Sequence, residues 1–185
     1  KVAVVGGGVG CAIAYPVAKK LHGLGCEVHS IIGFRTNDLV ILEDEFRAVS
    51  DELHVMTDDG SYARMGNVCV PLSELLSSGK KFDKVITIGP LIMMKFVVEA
   101  TRPYGIPCVV SMNPIMIDGT GMCGGCRVTL NVDGKKVTTF ACVDGPDFNG
   151  YEIDFDEAMS RGRMYSDFER HAYESTCNLY KKEVQ

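Results

Sequence analysis

The sequence predicts an α/β fold: a five-stranded parallel sheet covered by helices, then a small glycine- and cysteine-rich hairpin segment, then a helical tail. Three observations lead there. Up to about residue 112, short apolar runs alternate with stretches of helical periodicity, as a parallel sheet requires because each crossover carries a helix. Beyond residue 112 the chain turns to Gly and Met, and two short runs flank Asp133-Gly134, a two-residue hairpin signal. From Asp154 to Lys182 helical periodicity returns, interrupted near Gly162.

The strands are read at Val2–Val5, Glu27–Ile32, Leu53–Met56, Val85–Ile88 and Pro107–Ser111. Each is an apolar run too short for a helix and bounded by turn residues or by a change of period. Helices are expected at Cys11–Leu24, Glu43–Ser50, Leu72–Ser78 and Leu91–Tyr104. Gly23 and Gly25 end the first, and Pro71 suits the first position of the third. The hairpin strands are Arg127–Val132 and Lys136–Ala141. The expected organisation is residues 1–112, then 113–150, then a tail of 151–185.

Composition excludes several classes. The chain has 185 residues, 46% of them hydrophobic and 23% charged, which is ordinary globular usage rather than that of a disordered chain. No apolar run approaches the ~20 residues of a membrane span, and no basic stretch precedes an apolar one as in a signal peptide. A net charge of −5 argues against nucleic acid as the main partner. Six carboxylates and no Lys or Arg fall between Asp144 and Glu157; a solvated surface or a docking face for a partner would both carry such a run. Eight cysteines, three of them clustered with Gly, fit a cytoplasmic protein with one metal site better than a secreted disulfide scaffold.

The first motif is Val2-Ala3-Val4-Val5-Gly6-Gly7-Gly8-Val9-Gly10-Cys11, a strand, a glycine turn and a helix start. Glycines there let backbone N–H groups approach a pyrophosphate, and the helix N-terminus stabilises its charge. A tight turn without a ligand is the alternative. The pattern departs from the common dinucleotide fingerprint: Cys11 stands at the third glycine position, and the second strand ends in Gly33-Phe34-Arg35 rather than in an acidic residue.

The second motif is Cys123-Gly-Gly-Cys126 followed by Cys142. Plant-type [2Fe–2S] proteins use C-x4-C-x2-C and a distant fourth Cys. Counting back from Cys123 puts Asp118 at the first position, so the spacing is intact with one carboxylate in place of a thiolate. A zinc knuckle is the rival, with Cys177, Cys108 or His171 as the fourth donor; three unliganded cysteines are the remaining reading. Cys11, Cys26, Cys69 and Cys108 lie in apolar segments and are expected to pack. His22, His29 and His54 read as isolated structural or surface residues, and His171 as a non-catalytic one. Tyr165, Phe168, Tyr173, Leu179 and Tyr180 recur at helical spacing and read as a packing face.

The order of Gly6–Gly10, Gly33-Phe34-Arg35, Thr57-Asp58-Asp59-Gly60-Ser61 and Gly89-Pro90 with Met93-Met94 resembles the pyridine-nucleotide domain of ferredoxin–NADP reductase-like proteins. The resemblance implies that Gly7, Gly8, Val9 and Gly10 meet the pyrophosphate. It implies that Gly33, Arg35, Asp58, Asp59 and Gly60 meet the adenosine half, and that Gly89, Pro90 and Met93 lie beside the nicotinamide. Ile88 stands where a Cys often precedes the Gly-Pro turn, so no thiol is expected to assist hydride transfer. Arg35 would suit NADP(H) and the two aspartates NAD(H); the balance favours NAD(H).

A reductase-like domain followed by Asp118-Gly-Thr-Gly-Met-Cys123-Gly-Gly-Cys126 and Phe140-Ala-Cys142-Val-Asp-Gly-Pro146 resembles the small subunit of NADH-dependent ferredoxin:NADP oxidoreductase. The electron-transfer subunit of dihydroorotate dehydrogenase has the same layout with an all-cysteine pattern. The first resemblance implies a [2Fe–2S] cluster on Asp118, Cys123, Cys126 and Cys142. It also implies a larger flavin and iron–sulfur partner subunit, ferredoxin indirectly, and FAD held mainly by a preceding β-barrel. Lys1 sits directly in a buried-strand pattern, so the barrel is expected upstream and the segment alone is not expected to complete hydride transfer. A non-catalytic nucleotide-binding module with a zinc knuckle is the reading of another class.

Overall fold

The computed structural model describes residues 1–176. Its main sheet has the strands β1 (Val2–Gly7), β2 (Val28–Phe34), β3 (Glu52–Thr57), β4 (Arg64–Met65), β5 (Lys84–Ile88), β6 (Cys108–Ser111) and β9 (Asp147–Asn149). The spatial order is β4-β3-β2-β1-β5-β6-β9. All neighbours run parallel except β9, which pairs antiparallel with β6. The five expected strands form its centre. The two additional edge strands were not legible: β4 has only two residues, and β9 buries a single side chain, Phe148, between two exposed polar ones. The intervening strands β7 (Arg127–Val132) and β8 (Lys135–Phe140) form a separate hairpin. Its two-residue turn has Asp133 at φ 50° and Gly134 at φ 76°, the positive values that match the strand twist.

Helices α1 (Cys11–Gly23) and α2 (Glu43–Ala48) cover one face, and α3 (Cys69–Ser77) and α4 (Leu91–Thr101) the other. The period of two along β1 serves both: Val2 and Val4 pack with Cys11, Ala14, Ala18 and Phe46, while Ala3 and Val5 pack with Leu72, Leu76, Val97 and Val98. The third helix begins three residues earlier than expected, so Pro71 sits within its first turn rather than at its first position. That is tolerated because N–H groups there have no intrahelical acceptor in any case. The fourth ends at Thr101, and a single 3-10 turn over Arg102–Tyr104 completes the expected span.

The cluster segment is not a detached appendage. Cys126, Val128, Ala141, Phe148, Ile153 and Phe155 belong to the same apolar core as Val85, Val97 and Val110. The tail comprises α5 (Phe155–Gly162), whose Asp154 side chain caps the Glu157 N–H at 3.0 Å, and α6 (Ser166–Thr176). The break between them falls at Gly162, as the sequence indicates. No helix among the described residues is long and apolar enough to cross a membrane.

Candidate functional site

The residues singled out for nucleotide binding lie at the carboxyl ends of β1, β2, β3 and β5. The strand order reverses direction between β1 and β5, the position at which open α/β sheets form a ligand crevice. After β1, Gly8–Gly10 make one 3-10 turn and α1 starts at Cys11 with no side-chain cap and no acidic residue in its first turn. The Cys11 N–H is already taken by the Gly8 carbonyl within this turn, so an anion would meet the N–H groups of the turn that precedes α1.

The glycines of this loop serve two purposes, of which the motif suggested one. Gly8, at φ +53°, has open space around its Cβ position. A Cβ on Gly10, by contrast, would stand 2.5 Å from the Ile88 carbonyl oxygen, and one on Gly89 2.7 Å from Met93 Cε. Gly10 is thus required by the close approach of the β1 and β5 loops to each other, while at Gly7 and Gly89 the nearest obstacle is the flexible end of Met93. Val9 points outward at 82% exposure. Met93 is half-buried against both loops, and Met94 is fully buried, as a core residue would be.

The β2 and β3 loops are joined by their backbones: the Asp58 N–H donates to the Phe34 carbonyl at 3.0 Å and the Asp59 N–H to the Arg35 carbonyl at 3.3 Å. This brings Gly33, Arg35, Asp58, Asp59 and Gly60 to one edge, with Arg35 and both aspartates exposed. Asp59 Oδ1 accepts from the Ser61 hydroxyl at 2.6 Å and its N–H at 3.0 Å, which holds the carboxyl below its ordinary range. Asp58 is the exposed carboxylate not engaged in that turn.

The cysteine loop stands at the open end of the β7–β8 hairpin. Cys126 precedes β7 and Cys142 follows β8, and the Ala141 N–H donates to the Cys126 carbonyl at 3.0 Å, so strand pairing joins residues far apart in sequence. Cys126 is 2% exposed, and its Sγ accepts from the Cys142 N–H at 3.4 Å. That N–H and the adjoining Cys142 thiol lower the Cys126 pKa, while Cys126 in turn raises that of Cys142. Cys123 is exposed, with its Sγ accepting from the Gly125 N–H at 3.4 Å. Asp118 Oδ1 accepts from the Thr120 N–H at 2.8 Å and its hydroxyl at 3.1 Å. These bonds, with further ones from Cys123, hold the carboxyl below its ordinary range. Gly119, Gly121 and Gly124 all have positive φ, which lets the loop turn tightly between its donors.

The four residues singled out by the spacing thus stand as two pairs, Asp118 with Cys123 and Cys126 with Cys142. Among the described residues no three His, Cys, Asp or Glu side chains converge on a single point. Of the residues considered as a fourth zinc donor, Cys108 is buried in β6, His171 is exposed on α6, and Cys177 lies outside the described residues. Burial drives the thiol of Cys11 up to about 12 and that of Cys108 to about 11, as packing residues.

Other features resolve more simply. The acidic run is largely tied to this chain: Asp154 pairs with Lys136 at 2.9 Å, Asp156 with Lys95 at 2.8 Å, and Asp144 accepts from the Phe140 N–H at 2.8 Å. His29 and His54 are not isolated. His29 is buried with one ring nitrogen 2.8 Å from Glu27 and the other 3.0 Å from Glu52, and Glu52 also meets Lys80 at 2.6 Å and His54 at 2.9 Å. Tyr165, Phe168 and Tyr173 are exposed on or beside α6 rather than packed as the stripe suggested; Leu179 and Tyr180 lie outside the described residues. Sequence reasoning also missed Thr120, for which the Asp-x-Thr spacing of a local side-chain turn was the available signal.

The chain is similar to known proteins over most of its length. Residues 113–154 match the model of the iron–sulfur cluster binding domain of dihydroorotate dehydrogenase B. The chain is 47% identical over 173 residues to a dihydroorotate dehydrogenase B electron transfer subunit homolog of Thermotoga maritima, covering 94% of this chain and 59% of that protein. It is 36% identical over 148 residues to the corresponding electron transfer subunit of Streptococcus pneumoniae, covering 80% of this chain and 57% of the relative. Among solved structures, a chain from NADH-dependent reduced ferredoxin-NADP oxidoreductase superposes with a TM-score of 0.79 at 45% identity, over 94% of this chain and 62% of that one. The chain therefore spans little more than half the length of its curated relatives. The parallel sheet with its glycine loop, the cysteine segment that follows and these likenesses make the chain similar to ferredoxin reductase-like electron-transfer subunits that carry a C-terminal iron–sulfur segment.

Proposed function

We propose that the chain is the nucleotide- and cluster-binding part of an electron-transfer subunit of an NAD(P)H-dependent flavoprotein oxidoreductase, acting in the cytoplasm. Residues 1–112 would bind the pyridine nucleotide, 113–150 a [2Fe–2S] cluster, and 151–185 form the tail. The observation that carries the reading is the pairing of Asp118 with Cys123 and of Cys126 with Cys142 in the segment that follows a parallel sheet with a glycine loop at its switch point. A binuclear cluster takes two protein donors on each iron, which two pairs supply.

The roles follow from position. The Gly8 backbone and the α1 N-terminus receive the pyrophosphate, with Gly7, Val9 and Gly10 shaping the turn. Gly33, Arg35, Asp59 and Gly60 border the adenosine half, and Asp58 accepts a ribose hydroxyl, which favours NAD(H) because a 2′-phosphate there would be repelled. Gly89, Pro90 and Met93 form the wall against which the nicotinamide ring would lie. FAD, held mainly by a barrel outside this chain, supplies the conversion of a hydride into single electrons. Asp118 and Cys123 would hold one iron, Cys126 and Cys142 the other. Cys126 binds on the buried side and Cys123 on the exposed side, so the cluster would bridge the protein core and a surface where a larger flavin and iron–sulfur subunit docks, with ferredoxin served indirectly.

The dihydroorotate dehydrogenase assignment is the second reading, favoured by the domain match over residues 113–154. Asp118 in the first ligand position favours the ferredoxin:NADP oxidoreductase type. The test is anaerobic titration of the full-length protein with its partner subunit, using NADH, NADPH, dihydroorotate or reduced ferredoxin and following the cluster by EPR. Cluster reduction by NADH with no response to dihydroorotate is expected. Response to dihydroorotate would give the second reading, and failure of both pyridine nucleotides to bind would overturn the proposal.

A further inference from the structure

We propose that Thr120 is a positioning residue for the cluster: it holds one oxygen of Asp118, leaves the other for iron, and thereby tunes the reduction potential. The inference rests on the ligand reading above.

Asp118 Oδ1 accepts two hydrogen bonds from the same residue, the Thr120 N–H at 2.8 Å and the Thr120 hydroxyl at 3.1 Å. The hydroxyl oxygen is itself an acceptor for the Met122 N–H at 3.4 Å. Its lone pair faces Met122 and its proton faces Asp118, so its orientation is set from both sides. Gly119 at φ +76° and Gly121 at φ +82° turn the chain on either side of Thr120, which lets N–H and O–H converge on one oxygen.

Thr120 supplies both donors placed on Oδ1, beside the smaller contribution of Cys123 to the same carboxylate, and this uneven load favours coordination of iron through one oxygen over chelation through both. The iron site then stays four-coordinate, with Asp118 standing where the motif otherwise places a single thiolate sulfur. The hydrogen bonds also draw electron density from the carboxylate. A ligand so weakened would favour ferric over ferrous iron by a smaller margin, and the reduction potential would rise.

The experiment compares Thr120→Val, Thr120→Ser and Asp118→Ala in the full-length, cluster-loaded protein. Midpoint potential and the EPR spectrum of the reduced state are the readouts. Thr120→Val keeps the side-chain shape and the backbone N–H but removes the hydroxyl. It is expected to lower the potential and alter the g values, whereas Thr120→Ser retains the parent behaviour. An unchanged potential and spectrum in Thr120→Val, or an equal shift in Thr120→Ser, would overturn the proposal. Should Thr120→Val lose the cluster, retention in Thr120→Ser supports the role of the hydroxyl and loss in both overturns it. Asp118→Ala separates the two levels: an unchanged spectrum there refutes Asp118 as a ligand, while a changed one beside an inert Thr120→Val refutes only the role of Thr120.

Discussion

A Cβ on Gly7 would stand 2.3 Å from Met93 Sδ and 3.1 Å from Pro90 Cδ, so the glycine loop after β1 and the turn after β5 are packed against each other. Gly7 itself has φ −130°, ordinary extended backbone. Its requirement is steric, and the obstacle at Met93 is the end of a flexible side chain.

That distinction orders the loop variants. Gly10→Ala meets the Ile88 carbonyl at 2.5 Å, a backbone obstacle, and is expected to cost about 2–3 kcal/mol in thermal or urea unfolding. Gly8→Ala meets nothing but adopts φ +53°, and about 1 kcal/mol is expected from strain alone. Gly7→Ala should fall between them and be eased by Met93→Ala. Equal losses at all three positions would show that the two loops do not pack as described.

A second expectation concerns acid stability. Glu27 is lowered to about 2, with the His29 hydrogen bond as the largest cause and Lys1 next, and Glu52 is lowered chiefly by Lys80. Both pKa values are depressed in the folded state. Their contribution is present above the ordinary glutamate range, ~4.3, and is lost as pH falls through the folded values, down to about 2 for Glu27. Glu52→Gln removes the carboxylate that meets His29, Lys80 and His54. It should lower stability at pH 7 by about 1 kcal/mol and flatten the acid limb of a stability-against-pH curve. An acid limb as steep as the parent's would remove Glu52 from the set of groups responsible.

A third expectation concerns the thiols outside the cluster loop. Burial raises Cys11 to about 12 and Cys108 to about 11, so at pH 8 neither presents a thiolate. Alkylation of the folded protein followed by peptide mass analysis should leave both unmodified until denaturant is added. Rapid labelling of either would mean that the sheet is open on that face.

The centre of the fold was legible because β1 is buried on both faces and reads as an unbroken apolar run, and because β2 and β5 keep apolar residues around their few buried polar ones, His29, Ser30 and Thr87. Edge strand β9 was not, because Asp147 and Asn149 face solvent and only Phe148 signals burial. The four residues proposed as ligands were legible as a spacing, yet their arrangement in pairs was not, since it depends on the β7–β8 register that carries Cys142 to Cys126. The glycine loop was legible as a turn, but the share of it required by contact with Ile88 and Gly89 depends on strands brought together from distant parts of the chain. His29 read as isolated because Glu52 and Lys80 reach it from positions 23 and 51 residues away.

The most direct test is metal and acid-labile sulfide analysis of the full-length protein, with EPR of the dithionite-reduced state and Cys126→Ser as the control. Expected are about two irons and two sulfides per chain, a red-brown colour, and a [2Fe–2S] signal that Cys126→Ser abolishes or alters. A colourless protein holding about one zinc and no sulfide would contradict the assignment.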